Sequence, residues 1–266
     1  MKKKRFREID LVRGLAVAGM VFYHVLFDLS ALGYLDLAIN KGPMKLFAEI
    51  TAATFFIVVG VSLYISFSRA KKETSTGLEL FRKYFFRGTK LLLWGGVVTG
   101  VTYLFYPEFA VIFGALQFIG VSVILAYLLL ESLQGLRLVC RYTFLGLFVV
   151  IPFVVAGPIR TLGTSHRFLL WLGVTPPGFQ SLDYFPVLPW FGFVGGGLIL
   201  GELLYPEGER RFGMWTLNNS LVEFLGRNSL IIYFFHQPLI YLGVFLFAFL
   251  TGQIDLQNIT FLSSIR

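Results

Sequence analysis

The stretch IDLVRGLAVAGMVFYHVLFDLSALGYL, from Ile9 to Leu35, decides the fold. It is apolar over more than the roughly 20 residues a helix needs to cross a bilayer. A basic run, Lys2, Lys3, Lys4, Arg5 and Arg7, precedes it. Four ionisable side chains nevertheless sit inside it or at its ends: Asp10, Arg13, His24 and Asp28. A charge in hydrocarbon is costly, so such groups usually face a polar cavity or a partner and mark function. Arg13 and His24 are eleven positions apart, which at ~100° per residue returns them to nearly one face, with a rise of ~16 Å between them. His24 and Asp28, at i and i+4, share that side. One helix thus carries a cation near its basic, cytoplasmic end and a His–carboxylate pair roughly two-thirds of the way across. A ligand with an anionic head and a long arm fits that geometry. The plainer reading is an anchor whose polar residues lock helices together; four such residues in this order weigh against it.

Composition agrees with a membrane protein. Only 14% of the 266 residues are charged, against roughly 25% in a soluble domain. Hydrophobic residues make up 56% and the mean hydropathy is +0.74. The first segment does not read as a cleaved signal peptide, because its apolar run is too long and no A-x-A-like site follows. A net charge of +8 is explained by the excess of Lys and Arg on cytoplasmic loops and not by nucleic-acid binding. The single cysteine, Cys140, has no partner for an internal disulfide and no metal-ligand spacing around it. It reads as helix packing, and no metal site is expected.

The expected fold is all-α: a single domain, residues 1–266, built as a bundle of about seven transmembrane helices. The spans are about 9–35, 46–67, 84–106, 111–130, 138–157, 186–205 and 227–250. A charged loop, RAKKETSTGLELFRK, follows the second span, and the longest connection is 158–185. A polar loop with Glu207, Glu209, Arg210 and Arg211 leads to the seventh span. With the N-terminus cytoplasmic, 18 of the 23 basic residues fall on inner segments or adjoining helix ends. That bias favours an odd number of spans and an outer C-terminus. The chain shows no internal repeat of the kind found in inverted-repeat transporters. Glycine clusters at Gly95–Gly96 and Gly195–Gly197 read as close helix contacts.

Beyond the first helix, polar residues concentrate in four places. Arg87 and Lys90, at i and i+3, share a face of the third span; besides anchoring it, they suit phosphate binding beside Arg13. Gln117 in FGALQFIGVS reads as interhelical glue. In SLDYFPVLPWFG, Tyr184 and Trp190 sit where a boundary belt is expected. Asp183 suits either structural capping or orienting a sugar hydroxyl or amine. In GRNSLIIYFFHQPLIYLG, Pro238 interrupts the helix, and His236 and Gln237 either satisfy the broken turn or line the same cavity as His24. His24, Asp28, Asp183 and His236 are expected around one cavity open to the outside. His166 reads as a solvated loop residue. No HExxH, Walker loop, G-x-S-x-G or dinucleotide fingerprint is present.

EIDLVRGLAVAGMVFYHVLFDLS, FGALQFIGVS, SLDYFPVLPW and GRNSLIIYFFHQP together resemble the heparan-alpha-glucosaminide N-acetyltransferase catalytic domain family in its small bacterial form. The match spans nearly the whole chain. The Arg13–ten residues–His24 spacing also resembles that of the wider transmembrane acyltransferases that modify surface polysaccharides. The resemblance implies acetyl transfer from cytoplasmic acetyl-CoA to an acceptor across the membrane. It implies Arg13 as a cofactor contact, His24 as the catalytic position, and Asp28, Asp183 and His236 as parts of the polar core. Gln117 stands where a His is common in the family. The eukaryotic enzyme's luminal domain and extra spans have no counterpart, which argues against heparan sulfate as acceptor.

The reading is then a multi-pass acetyl-CoA-dependent acetyltransferase of a bacterial inner or plasma membrane. His24 and Asp28 are its catalytic residues. Arg13, Arg87 and Lys90 bind the cofactor, and Asp183, Tyr184, Trp190, His236 and Gln237 bind the substrate. Its partners are the lipid bilayer, acetyl-CoA and a sugar or glycan acceptor, and a homo-oligomer is compatible with the sequence. The rival class is a proton-coupled transporter using the same intramembrane His, Asp and Arg residues.

Overall fold

In the computed structural model, residues 5–31, 33–39, 41–73, 76–162, 167–213 and 220–250 are described. His166, the basic residues Lys2 to Lys4 and the tail 251–266 lie outside them. Among the described residues eight α-helices run in chain order: α1 Arg7–Ala31, α2 Gly42–Glu73, α3 Gly77–Phe105, α4 Ala115–Ser132, α5 Leu138–Thr161, α6 Val187–Leu204, α7 Ser220–Arg227 and α8 Ser229–Leu250. No β-strand occurs among the described residues. Six of the helices, α1, α2, α4, α5, α6 and α8, are long and apolar enough to cross a membrane. Their outward faces carry large apolar side chains that water would not tolerate in such number; on α5, Leu138 and Val139 are 67% and 78% exposed.

The expected span 84–106 lies within α3, but α3 is not among those six. Gly88–Phe105, its most apolar part, includes Lys90, four glycines and three threonines, which dilute its hydropathy. Three further boundaries depart from the sequence reading. The charged stretch after the second span is not a loop, since α2 continues to Glu73 and α3 begins at Gly77. Its Arg, Lys, Glu and Leu residues are good helix formers. Lys71 and Lys72 also lie in the last turn of α2, where the helix dipole favours cations. The polar loop before the last span contains a helix of its own, α7, so the last span begins at Ser229 and not at Arg227. The first span stops early for a local reason: Gly33 takes φ +79°, and Tyr34 N–H donates back to the Leu29 carbonyl at 2.9 Å, which closes the helix end.

The chain forms two compact units, 1–55 with 214–266, and 56–213; the boundary falls within α2. In the first unit α1 packs against α7 and α8. Gly14 and Gly226 let α1 and α7 touch backbone to backbone. A Cβ on Gly14 would overlap the Val222 carbonyl oxygen, and one on Gly226 the Asp10 carbonyl oxygen.

In the second unit α3 pairs with α4, and α5 with α6. Gly60 and Gly197 allow the same intimacy between α2 and α6, since a Cβ on either would overlap a carbonyl of the opposite helix. Gly95 and Gly195 also lie against neighbouring helices, whereas Gly96 and Gly196 face open space. Tyr84 stacks on Tyr127 at 5.3 Å and meets the Ser66 hydroxyl at 3.0 Å. Phe56 packs edge-on against Phe118, Phe185 and Trp190.

Candidate active site

Two polar constellations occupy the first unit, both built on α1. The first is a ladder of five charges where α1 meets α7. Arg7 donates to Glu223 Oε1 from Nη2 at 2.7 Å and from Nε at 2.9 Å. Arg227 Nη2 donates to Glu223 Oε2 at 2.9 Å, and its Nε donates to Asp10 Oδ2 at 3.3 Å. Arg13 Nη1 completes the row on Asp10 Oδ1 at 3.1 Å. Each carboxylate thus bridges two guanidiniums, and the ladder carries one net positive charge. Both carboxylates are buried, at 4% exposure, while Arg7 and Arg227 keep nearly half of their side-chain surface. The Arg7 guanidinium, helped by Arg227, holds the Glu223 carboxyl below its ordinary value against the opposing effect of burial.

Local sequence explains why α7 forms. Glu223 stands in its first turn and Arg227 in its last, complementing the helix dipole, and the pair is i,i+4. Asn228 Nδ2 then donates to the Phe224 carbonyl at 2.8 Å and ends it.

The second constellation lies on α1 beyond Arg13, along the seam with α8. The rings of His24 and His236 are 4.9 Å apart, tilted by 57°. Tyr23 flanks the first ring at 5.7 Å and Tyr233 the second at 5.8 Å. One turn further along α1, Asp28 is 1% exposed, and both its carboxylate oxygens accept from Gln237 Nε2, at 3.1 and 3.0 Å. His24 and Asp28 share a face of α1 as their spacing requires. The partners differ from the expected arrangement, because Asp28 is held by Gln237 and no hydrogen bond joins it to His24. His236 Nδ1 lies 2.7 Å from the Tyr233 carbonyl and 3.1 Å from that of Ile232. Its Nε2 is buried without a partner among the described residues, as is Gln237 Oε1. Pro238, inside α8, supplies no N–H to the turn below it.

The remaining sequence-derived residues belong to the second unit. Asp183 Oδ2 accepts from the Ala115 N–H at 3.0 Å and so caps the start of α4. Tyr184 donates its hydroxyl to the Leu170 carbonyl at 2.7 Å, and burial pushes that phenol up to about 12. Trp190 packs on Phe185 at 4.9 Å and on Phe193 at 5.6 Å. Gln117 ties α4 to α3, donating to Thr99 Oγ1 at 2.8 Å and accepting from Gly114 N–H at 3.0 Å. Arg87 and Lys90 are exposed on α3, and Cys140 on α5. Among the described residues no group of three His, Cys, Asp or Glu side chains could hold a metal ion.

A family model described as "Heparan-alpha-glucosaminide N-acetyltransferase, catalytic" matches residues 5–238. The chain belongs to that family. The match reaches from the first charge ladder residues to Pro238 and takes in His24, Asp28, His236 and Gln237. No curated protein and no solved structure matches the chain. Family membership makes this an acetyltransferase, and its apolar helices make it a multi-pass membrane protein.

Part of the charge ladder escaped the sequence reading. Glu223 and the ladder role of Asp10 and Arg227 depend on pairing between chain ends. The only local signals were the i,i+3 spacing of Asp10 with Arg13 and the i,i+4 spacing of Glu223 with Arg227.

Proposed function

We propose that the protein moves an acetyl group from cytoplasmic acetyl-CoA to a hydroxyl or amine of a sugar or glycan outside the cytoplasm, in a bacterial inner or plasma membrane. The observation that carries this reading is the pair of imidazoles, His24 and His236, 4.9 Å apart within the matched family region. Imidazole is the side chain best suited to take a proton or an acyl group near neutral pH. The adjacent Asp28 carboxylate adds a negative charge one helical turn away, fixed by Gln237.

At the other end of α1, Arg13 would contact the phosphates of the CoA nucleotide. Its ladder partners Arg7 and Arg227 leave that region with more cations than anions, which fits an anionic head group. The pantetheine arm, the long thin part of CoA, matches the ~16 Å rise from Arg13 to His24. Arg87 and Lys90 are proposed as further anion contacts on the strength of their chemistry. Asp183, a polar-core position by the family resemblance, is proposed as an acceptor contact, with its chain neighbours Tyr184 and Trp190 beside it. The whole chain is taken as one transferase domain, with α3 as a seventh crossing: its 29 residues suffice in length, and the distribution of Lys and Arg favours an inner N-terminus and an outer C-terminus.

The test is direct. Purified protein receives labelled acetyl-CoA and fractionated envelope glycans, and a labelled glycan is the expected product. Uptake of a solute with no acetyl-CoA dependence and no labelled product would replace the transferase by a transporter.

A further inference from the structure

His236 is the better oriented of the two imidazoles. Both groups facing its Nδ1 are backbone carbonyls, which only accept, so Nδ1 carries the proton. In the neutral ring Nε2 then holds a lone pair, and that atom is buried with no partner among the described residues. Its neighbour repeats the pattern. The Asp28 carboxylate fixes the Gln237 amide with its nitrogen inward, and Gln237 Oε1 is left as a second buried acceptor without a donor. A buried acceptor left unpaired is costly, so two in consecutive residues are unusual unless a donor arrives. His24 has no such orientation. The rings of Tyr23 and His236 lie against it, and among the described residues no hydrogen bond fixes its tautomer.

We propose that His236 is a catalytic base of the transfer step: its Nε2 receives the acceptor's O–H or N–H proton, with Gln237 Oε1 as a second contact for the acceptor, and His24 faces the acyl donor. This rests on the acetyltransferase reading and assigns the proton within it. In the step, the acceptor's oxygen or nitrogen forms a bond to the acyl carbon, and the carbon–sulfur bond breaks. The sulfur leaves with its electron pair as the CoA thiolate, and the acceptor's proton passes to His236 Nε2. The Ile232 and Tyr233 carbonyls, 3.1 and 2.7 Å from Nδ1, stabilise the resulting imidazolium, as a carboxylate does in a catalytic triad. The proton then returns to the thiolate, and the ring is restored.

The decisive variant is His236→Asn. Its side-chain amide N–H can still donate to the Tyr233 and Ile232 carbonyls, so a purely structural role survives, but nothing remains at the Nε2 position. Acetyl-CoA binding by calorimetry in detergent should be unchanged. Transfer should fall by about 10²–10⁴-fold, and added imidazole should restore part of it. If His236→Asn transfers within about tenfold of the wild type, His236 only satisfies its own helix and the proposal is overturned, while the transferase reading stands. If His236→Asn loses acetyl-CoA binding, His236→Gln is assayed too; binding lost in both shows a structural role and also overturns it. A wild-type protein that transfers no acetyl group would overturn the transferase reading and this assignment together.

Discussion

The two polar constellations on α1 differ in how completely they are satisfied. In the ladder at the α7 contact, all five charged side chains have partners, and each carboxylate bridges two guanidiniums. Along the α8 seam, two buried acceptors, His236 Nε2 and Gln237 Oε1, have none. A closed network holds helices in place. An open one has hydrogen-bonding capacity that only a further molecule can use. The contrast separates, along a single helix, groups whose hydrogen bonds are complete from groups with buried acceptors to spare, and the proposed acceptor site falls on the second.

The largest expected effect comes from the open side. His24→Ala should still bind acetyl-CoA but lose transfer by about 10²–10⁴-fold, or more if the ring carries the acyl group, read as labelled acetyl counts. Next is the glycine contact that brings the closed ladder together. Gly14→Leu pushes a side chain into the Val222 carbonyl, and the resulting overpacking should cost about 1–3 kcal/mol or more, visible as a lowered thermal midpoint in detergent. Gly96→Ala faces open space and is the control that should not lower it.

Gln237→Ala strips Asp28 of the amide that donates to both its oxygens and should cost about 1–3 kcal/mol of stability. If its stability matches the wild type, the seam is wetter than its burial implies.

Arg13→Ala tests whether a closed network can also bind. If Arg13 holds the nucleotide's phosphates, the apparent KM for acetyl-CoA should rise more than kcat falls, because the contact serves ground and transition states alike. An unchanged KM would leave Arg13 as part of the ladder only.

Glu223 gives the smallest effect, and one with a defined sign. Its carboxyl is held below its ordinary value in the folded protein, so its ion pairs contribute stability above the ordinary carboxylate range. That contribution fades as pH falls through the lowered folded value. The stability gap between wild type and Glu223→Gln should therefore be widest near neutrality and close in acid.

Much of this was legible in the chain. Apolar length marked six of the seven expected spans, and the shared face of His24 and Asp28 followed from helical periodicity alone. Gln117 read as a link between helices and bonds α4 to Thr99 of α3. What could not be read was which distant group each polar residue would meet. Asp28 was expected to orient His24 because both lie on α1; its actual partner, Gln237, comes from the far end of the chain. Glu223 drew no reading at all, because α7 is eight residues long and too short to announce itself by periodicity. The charged stretch around Arg69 to Lys83 read as a loop because polarity signals exposure, whereas helix propensity carries α2 and α3 through most of it.

The central claim is that the α1–α8 seam transfers an acetyl group, and one assay addresses it most directly. Labelled acetyl-CoA and envelope glycans are given to the wild-type protein and to His24→Ala, with binding of acetyl-CoA measured on both. The account predicts a labelled glycan from the wild type, and from the variant intact binding with transfer lost. A His24→Ala protein that binds and transfers like the wild type would contradict it, and the polar groups on α1 would then be helix contacts alone.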